Sequence, residues 1–232
     1  MDLATLVPVL NRPQNVEPLV ASWELSQTPG VLVFIVEVDD NDERIALEAV
    51  AHRRGVKVLP VMSAHTWPQK INTGVANVTA DWYLCAADDV EFQRGWWQAT
   101  VELRSDPTVG VIGTNDSLTG RGNPAVAEGQ HTCHPLIRRT YIEQRGIWGQ
   151  RGLAVCEEYH HWYVDNELVV TAKLRDAWAF CREAVLHHKH PYWEGGTLDA
   201  TYLLGEANAD VDRMTWERRA VEYGPLIAGN PN

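Results

Sequence analysis

Apolar and polar positions along the first half of the chain switch repeatedly between two periods. Thr5 to Leu10 is a short apolar run that predicts a strand, stopped by Asn11-Arg12-Pro13. Val16 to Leu25 repeats apolar residues at Val16, Leu19, Val20 and Trp23, the spacing of one helix face. Val31 to Val38 is a continuous apolar strand broken only by Glu37, and it ends in Asp39-Asp40-Asn41-Asp42. Glu43 to Arg54 is helical, with Asp42 placed to cap its start and Gly55 to stop it. Val56 to Val61 predicts a third strand, Ile71 to Val78 a short helix, and Trp82 to Ala86 a fourth strand. Beyond it, Gly95 to Arg104 reads as helix, Val109 to Thr114 as strand, His134 to Arg138 as strand and Thr140 to Arg145 as helix. Val164 to Leu174 is a further helix and Asp176 to Phe180 a last strand. Ser117 to Gln130, rich in Gly, Asn, Pro and Ala, predicts a mobile loop. From Asp199 the pattern is helical and charged, and residues 228–232 form a frayed tail.

Strand–helix alternation with near-continuous apolar strands predicts an α/β fold, a parallel sheet covered by helices on both faces. Residues 1–198 are expected to form the domain, and residues 199–232 a C-terminal helical extension and tail of it. Ligands in such sheets sit at the carboxyl ends of the strands. Two acidic pairs fall there, Asp39-Asp40 and Asp88-Asp89. Adjacent carboxylates repel and resist desolvation without a cation, and a divalent metal shared with substrate phosphates is a common remedy. A solvated acidic turn is the alternative.

Composition narrows the partners. Twenty basic against thirty-one acidic side chains give a formal charge of −11, which disfavours nucleic acid and anionic lipid. An anionic substrate then needs a local cation. No apolar run approaches the roughly 18 residues that span a bilayer, and the N-terminus shows no leader pattern. The four cysteines lie far apart without zinc-ligand spacing; Cys85 and Cys181 read as small core residues, and a reducing cytoplasmic setting is expected. Nothing in the sequence fixes an oligomeric state. The dinucleotide fingerprint, the Walker loop and the Gly-x-Ser-x-Gly elbow are all absent, which argues against dehydrogenases, ordinary ATPases and α/β-hydrolases.

Five segments then occur in a telling order: Leu6-Val-Pro-Val-Leu-Asn-Arg-Pro13, Val36-Glu-Val-Asp-Asp-Asn-Asp42, Lys70-Ile-Asn-Thr-Gly-Val-Ala-Asn77, Ala87-Asp-Asp-Val90 and Val164-Asp-Asn-Glu-Leu168, with His188-Lys-His-Pro191 downstream. Together they resemble the inverting family-2 glycosyltransferases of the GT-A fold, over about Ala4 to Pro191. The size fits a compact member such as a bacterial or phage-encoded one. The resemblance implies a Rossmann-like, mostly parallel sheet and sugar transfer from a nucleoside-diphosphate sugar, most often a UDP-sugar. The acceptor hydroxyl would belong to a glycan, protein or small molecule. It implies a divalent metal, Mn2+ or Mg2+, held by Asp89 and by His188. Asp88 lies beside it toward the ribose or a metal-bound water. Asp39 and Asp40 would serve base and ribose, with an Asx turn as the plainer reading. Lys70, Arg12 and Arg138-Arg139 are cations for the diphosphate or plain surface charge. Asp165 becomes the general base, with Glu167 as the rival base.

His190 is expected to share a strand face with His188 and is its substitute ligand. His187 points the other way. Trp67, Trp148 and Trp162 would shape sugar or acceptor pockets, or simply pack. Two acids usual in the family are replaced, by Ala87 and Val164. Two alternatives stay open: a degenerate transferase kept as a nucleotide- or carbohydrate-binding module, and a sugar-nucleotide pyrophosphorylase. The second lacks its glycine-rich loop here.

Overall fold

The computed structural model describes residues 2–116 and 122–223. In chain order the elements are β1 (Leu3–Pro8), α1 (Pro13–Leu25), β2 (Val31–Glu37), α2 (Asn41–Val50), β3 (Val56–Val61), α3 (Trp67–Asn77), β4 (Trp82–Cys85) and β5 (Val90–Phe92). There follow α4 (Trp96–Ala99), α5 (Val101–Ser105), β6 (Val111–Asn115), α6 (Pro124–Ala127), β7 (Leu136–Arg138) and α7 (Arg139–Gln144). The last are α8 (Val164–Leu174), β8 (Trp178–His188), α9 (Pro191–Glu194) and α10 (Ala200–Tyr223). One eight-stranded sheet runs in the order β3-β2-β1-β4-β7-β6-β8-β5. Its first four strands are parallel, β7 is antiparallel to both neighbours, and β5 is antiparallel to β8.

Alternate side chains of the buried strands serve opposite faces. Leu3 and Val7 of β1, with Leu32, Phe34 and Val36 of β2, pack against Val16, Leu19, Val20 and Trp23 of α1 and Leu47 of α2. Ala4, Leu6, Val33 and Ile35 face the other way, onto Ile71 of α3 and, further along the sheet, a layer holding Ile142 of α7 and Leu168 of α8. Burial on both faces explains why these strands read as unbroken apolar runs. Pro60 is tolerated because β3 is the sheet edge. Gly30 is obligatory at the entry to β2: its φ is +85° and a Cβ there would lie 2.0 Å from the Leu3 carbonyl oxygen.

Several boundaries move for identifiable reasons. The third helix starts at Trp67, not Ile71, because Thr66 and Gln69 form a reciprocal capping box. The second helix is capped by Asp40, whose side chain accepts from the Glu43 amide, and not by Asp42. Gly55 is no helix stop: the helix ends at Val50, and Gly55, at φ +84°, turns the chain into β3. The helix expected over Gly95 to Arg104 is two short ones, α4 and α5. The last strand runs to His188, not Phe180. Gly113 pairs with Phe180 but Asn115 with Val185, so the intervening residues bulge and leave Arg182 and Glu183 exposed. Part of the loop expected over Ser117 to Gln130 is helix α6; residues 117–121 of it, and the tail at 228–232, lie outside the described residues.

Candidate active site

Neighbouring parallel strands deliver the first half of the site. β1 and β4 pair directly, so the segments leaving them, Val9 to Arg12 and Ala86 to Asp89, emerge side by side at the carboxyl edge of the sheet. Arg12 Nη1 donates to Asp88 Oδ1 at 3.0 Å and stands 3.5 Å from Asp89 Oδ2. Asp199, at the start of α10, grips the same guanidinium from the other side, at 2.8 Å to Nε and 3.0 Å to Nη2. The guanidinium lies 4.1 Å from the centre of the Tyr202 ring, and the Tyr202 hydroxyl donates to Asp89 Oδ2.

Register brings in the histidine. β5 follows Asp89 and pairs with β8 so that Val90 faces His188. His188 Nε2 consequently stands 3.3 Å from Asp89 Oδ1, without hydrogen-bond alignment, and that buried oxygen accepts no hydrogen bond. A carboxylate oxygen and an imidazole nitrogen facing each other, both underused, fit a shared divalent cation. Burial pushes the Asp89 carboxyl up, but His188, Tyr202 and Arg12 outweigh it and hold it well below the usual carboxylate range. Asp88 goes the other way, raised by burial and by the charge of Asp89 against the pull of Arg12. Burial lowers His188, and Asp89 and Asp116 more than reverse that.

A cavity of about 390 Å³ opens onto Asp89, His188 and Arg12, and Asp165 lines it as well. That volume lies within the range of small-ligand sites. Asp165 is in the first turn of α8, where its Oδ2 lies 3.0 Å from His131 Nε2 and its Oδ1 accepts from the Asn166 amide at 2.9 Å. Burial raises Asp165, but the adjacent His131 brings it below its ordinary value. His131 in turn is lowered by burial and raised further by Asp165, for a net rise. Trp67, Trp162, Tyr192, Trp193 and Tyr202 supply aromatic walls.

The structure does not bring every residue singled out above to this cavity. Glu167, two residues from Asp165, is fully buried and bound to Arg219 at 2.6 and 2.8 Å and to the Tyr159 hydroxyl at 2.7 Å. It has no access to a substrate. Lys70 is buried too, donating to the Val9 carbonyl at 2.8 Å and pairing with Glu37 at 3.1 Å. Asp88 is turned to Arg12 and does not line the cavity. Asp39 is exposed, and Asp40 caps α2 and accepts from the Asn11 amide at 3.2 Å. Neither lines the cavity. Arg138 braces carbonyls of Val109, Arg104 and Asp106, while Arg139 pairs with Glu143 on the surface. Trp148 is also away from the cavity.

His190 is not on the strand; it caps α9, accepting from the Tyr192 amide at 3.2 Å, yet it still lines the cavity. Burial, then His188, push it down to about 4. His187 points away and lies 3.3 Å from Glu194.

Sequence reasoning missed Asp199, Tyr202, His131, Cys133, His134 and His161. The run His131-Thr-Cys-His134, three ligating side chains in four residues, was a local signal for part of this set. Asp199 and Tyr202 had none, since only the packing of α10 brings them in.

Comparison with known proteins places these features. Residues 5–161 match the sequence profile described as "Glycosyl transferase family 2". No curated protein matches the chain. Among solved structures, the fold is similar to the mannosyltransferase PcManGT from Pyrobaculum calidifontis in complex with GDP-Man and Mn2+, with 15% identity, TM-score 0.64, and coverage of 80% of this chain and 56% of that one. It is also similar to S. aureus TarS 1-349 (13% identity, TM-score 0.64, coverage 82% and 61%) and to the same protein in complex with UDP-GlcNAc (11%, 0.63, 85% and 62%). The chain thus spans 56% to 62% of the length of these structures. Among the described residues no helix is long and apolar enough to cross a membrane.

Proposed function

This chain belongs to glycosyl transferase family 2, and from that premise we propose that it moves a sugar from a nucleoside-diphosphate sugar to an acceptor hydroxyl, with inversion at the anomeric carbon. The observation that carries the reading is a single cavity of about 390 Å³ that holds both the Asp89–His188 pair and Asp165. In such a displacement the acceptor oxygen forms the new bond to the anomeric carbon while the bond to the diphosphate breaks. Asp165 takes the acceptor's proton as that happens. His131 and the Asn166 amide fix the orientation of its carboxylate. Arg12, held in place by Asp88, Asp199 and Tyr202, presents fixed positive charge beside the departing diphosphate. Asp89 and His188 would hold a divalent cation, Mn2+ or Mg2+, which supplies further charge neutralisation for the leaving group. A cation bound to PcManGT, whose fold is similar, supports this reading.

Trp67 and Trp162 offer flat apolar surfaces for the base or a sugar ring, and the exposed rings of Tyr192 and Trp193 suit a carbohydrate acceptor at the rim. A UDP-sugar remains our proposed donor; the similar structures hold GDP-Man in one case and UDP-GlcNAc in another. Tyr202 on the cavity, Asp199 on Arg12, and Arg219 on Glu167 support reading residues 199–232 as an extension of the same domain.

The test is a panel of UDP- and GDP-sugars with Mn2+ or Mg2+, read out as released nucleoside diphosphate with and without acceptors. Asp165→Asn should bind donor as the wild type does and turn over about 10²- to 10⁴-fold more slowly. Donor binding without turnover in any combination, and without any effect of Asp165→Asn, would favour a binding module instead.

A further inference from the structure

The cavity carries a second group of metal-ligating side chains, which includes the proposed base and adds a thiol that sugar transfer does not use. His131, Cys133 and Asp165 each offer one ligand atom, and these atoms all lie within 4.8 Å of one another. All three residues line the cavity, so an ion reaches them from solvent. We infer that they form a cation site distinct from Asp89 and His188, selective for a soft divalent ion such as zinc, whose occupation blocks the transfer reaction. The second clause rests on the base role proposed for Asp165; the first does not.

Ligand chemistry separates the two sites. Asp89 and His188 offer oxygen and nitrogen, a set open to manganese. Cys133 adds a sulfur, and a thiolate with an imidazole and a carboxylate selects zinc or cobalt over magnesium and manganese. Three protein ligands facing a cavity leave a fourth position for water, as in tetrahedral zinc sites that stay open. Neighbouring bonds fix the ligands from behind. The Cys133 amide donates to Asp116 Oδ2 at 3.0 Å, and Asp116 Oδ1 lies 3.1 Å from His134 Nδ1. The Asn166 amide holds the second Asp165 oxygen. The adjoining group of Asp116, His134 and His188 has no sulfur, so a thiolate signal tells the two apart.

Proton accounting is simple. Burial, and then the charges of Asp116 and Asp165, push the Cys133 thiol up, so it is protonated while no cation is bound. The incoming ion takes the Cys133 thiolate and the lone pair of a His131 ring nitrogen, so the thiol proton and, where His131 is an imidazolium, its ring proton leave to solvent, with no change of oxidation state. Asp165 exchanges its contact with His131 for the ion. A carboxylate engaged that way no longer accepts the acceptor's proton, and zinc therefore inhibits transfer.

The test uses cobalt as a spectroscopic stand-in on the reduced 232-residue chain. In wild type a thiolate-to-cobalt charge-transfer band in the near ultraviolet should saturate with one equivalent of Co2+ beyond any held at Asp89 and His188, and zinc should bleach it. Asp89→Ala should keep the band, and Cys133→Ser should lose it. His131→Gln should keep it but weaken zinc binding by more than about 100-fold, the upper cost of losing even an outer-shell partner. No band in wild type overturns the site. So does a band that survives Cys133→Ser, since the sulfur would then be Cys85, Cys156 or Cys181. Circular dichroism confirms folding of each variant; if Cys133→Ser does not fold, unchanged zinc affinity in His131→Gln is the overturning result. With a donor that turns over, zinc should inhibit wild type and spare Cys133→Ser; equal inhibition of both overturns the blocking role. If no donor turns over, the cobalt titration still decides the site, and the transferase reading falls separately.

Discussion

Glu167→Gln separates a structural carboxylate from the proposed base, Asp165, within a single helical turn. Glu167 is fully buried, and both its oxygens bind the Arg219 guanidinium, at 2.6 and 2.8 Å. Arg219 is itself buried and joins α10 to α8 through this pair. Removing one partner of a buried ion pair costs about 3–5 kcal/mol, because the other charge is left desolvated. Glu158, at 2.7 Å, still engages Arg219 Nη1 and is half exposed, so the lower end applies, about 3 kcal/mol. At about 2–4 °C per kcal/mol for a chain of this size, Tm should fall by about 6–12 °C. Glu167→Ala also deprives the Tyr159 hydroxyl of its acceptor and adds about 1–3 kcal/mol. Asp165→Asn, partly exposed and free of any such pair with an arginine, should cost less than half as much as Glu167→Gln. Urea unfolding followed by tryptophan fluorescence and by circular dichroism measures all three, beside nucleotide release. Wild-type stability with lost turnover in Glu167→Gln, and the reverse in Asp165→Asn, would refute the assignment.

Asp89→Ala should abolish Mn2+-dependent binding of UDP in calorimetry while the fold persists; unchanged manganese dependence would remove Asp89 from the metal site. The His131 imidazole, followed by NMR, should titrate above its ordinary 6.5 in wild type and fall in Asp165→Asn, where burial and Lys173 still lower it and only Asp116 opposes them. Stability from this pair should be present between the two folded-state midpoints. It is lost as pH falls through that of Asp165, below 3.8, and as pH rises through that of His131, above 6.5. Unfolding free energy across pH, compared between wild type and His131→Gln, checks the window. Gly113→Ala should destabilise by about 1–3 kcal/mol, because its Cβ would lie 2.4 Å from the Trp178 ring.

Legibility followed burial. β1, β2 and β4 are covered on both faces, so their sequences are plain apolar runs and the carboxylates at their ends stood out. β5 spans only Val90–Phe92, too short for any periodicity, yet its register is what sets His188 beside Asp89. β8 was cut short in the reading because Arg182 and Glu183 interrupt it, and only the pairing with β6 shows a bulge rather than an end. Asp165 and Glu167 look alike in sequence, since either acid suits the first turn of a helix. Which one meets the cavity depends on how α8 rotates against α10. Tyr202 and Asp199 were invisible for the same reason: more than a hundred residues separate Tyr202 from Asp89 and Asp199 from Arg12, and no local pattern encodes those contacts.

Charge balance links this arrangement to the substrate. Adjacent carboxylates about 4 Å apart repel by about 4 kcal/mol at an effective dielectric near 20, so burying Asp88 and Asp89 together requires a resident cation. Arg12 fills that place, because it leaves the strand next to theirs and meets them at the same sheet edge. A single guanidinium among Asp88, Asp89 and Asp199 nonetheless leaves the neighbourhood negative, in a chain already acidic overall. A diphosphate would meet repulsion there. One divalent cation on the uncommitted oxygen of Asp89 would offset that negative charge and turn Arg12 from a partner already spent into an attractive one. On this reasoning the proposed metal dependence rests on the fixed charges at the sheet edge, whatever nucleotide the donor carries.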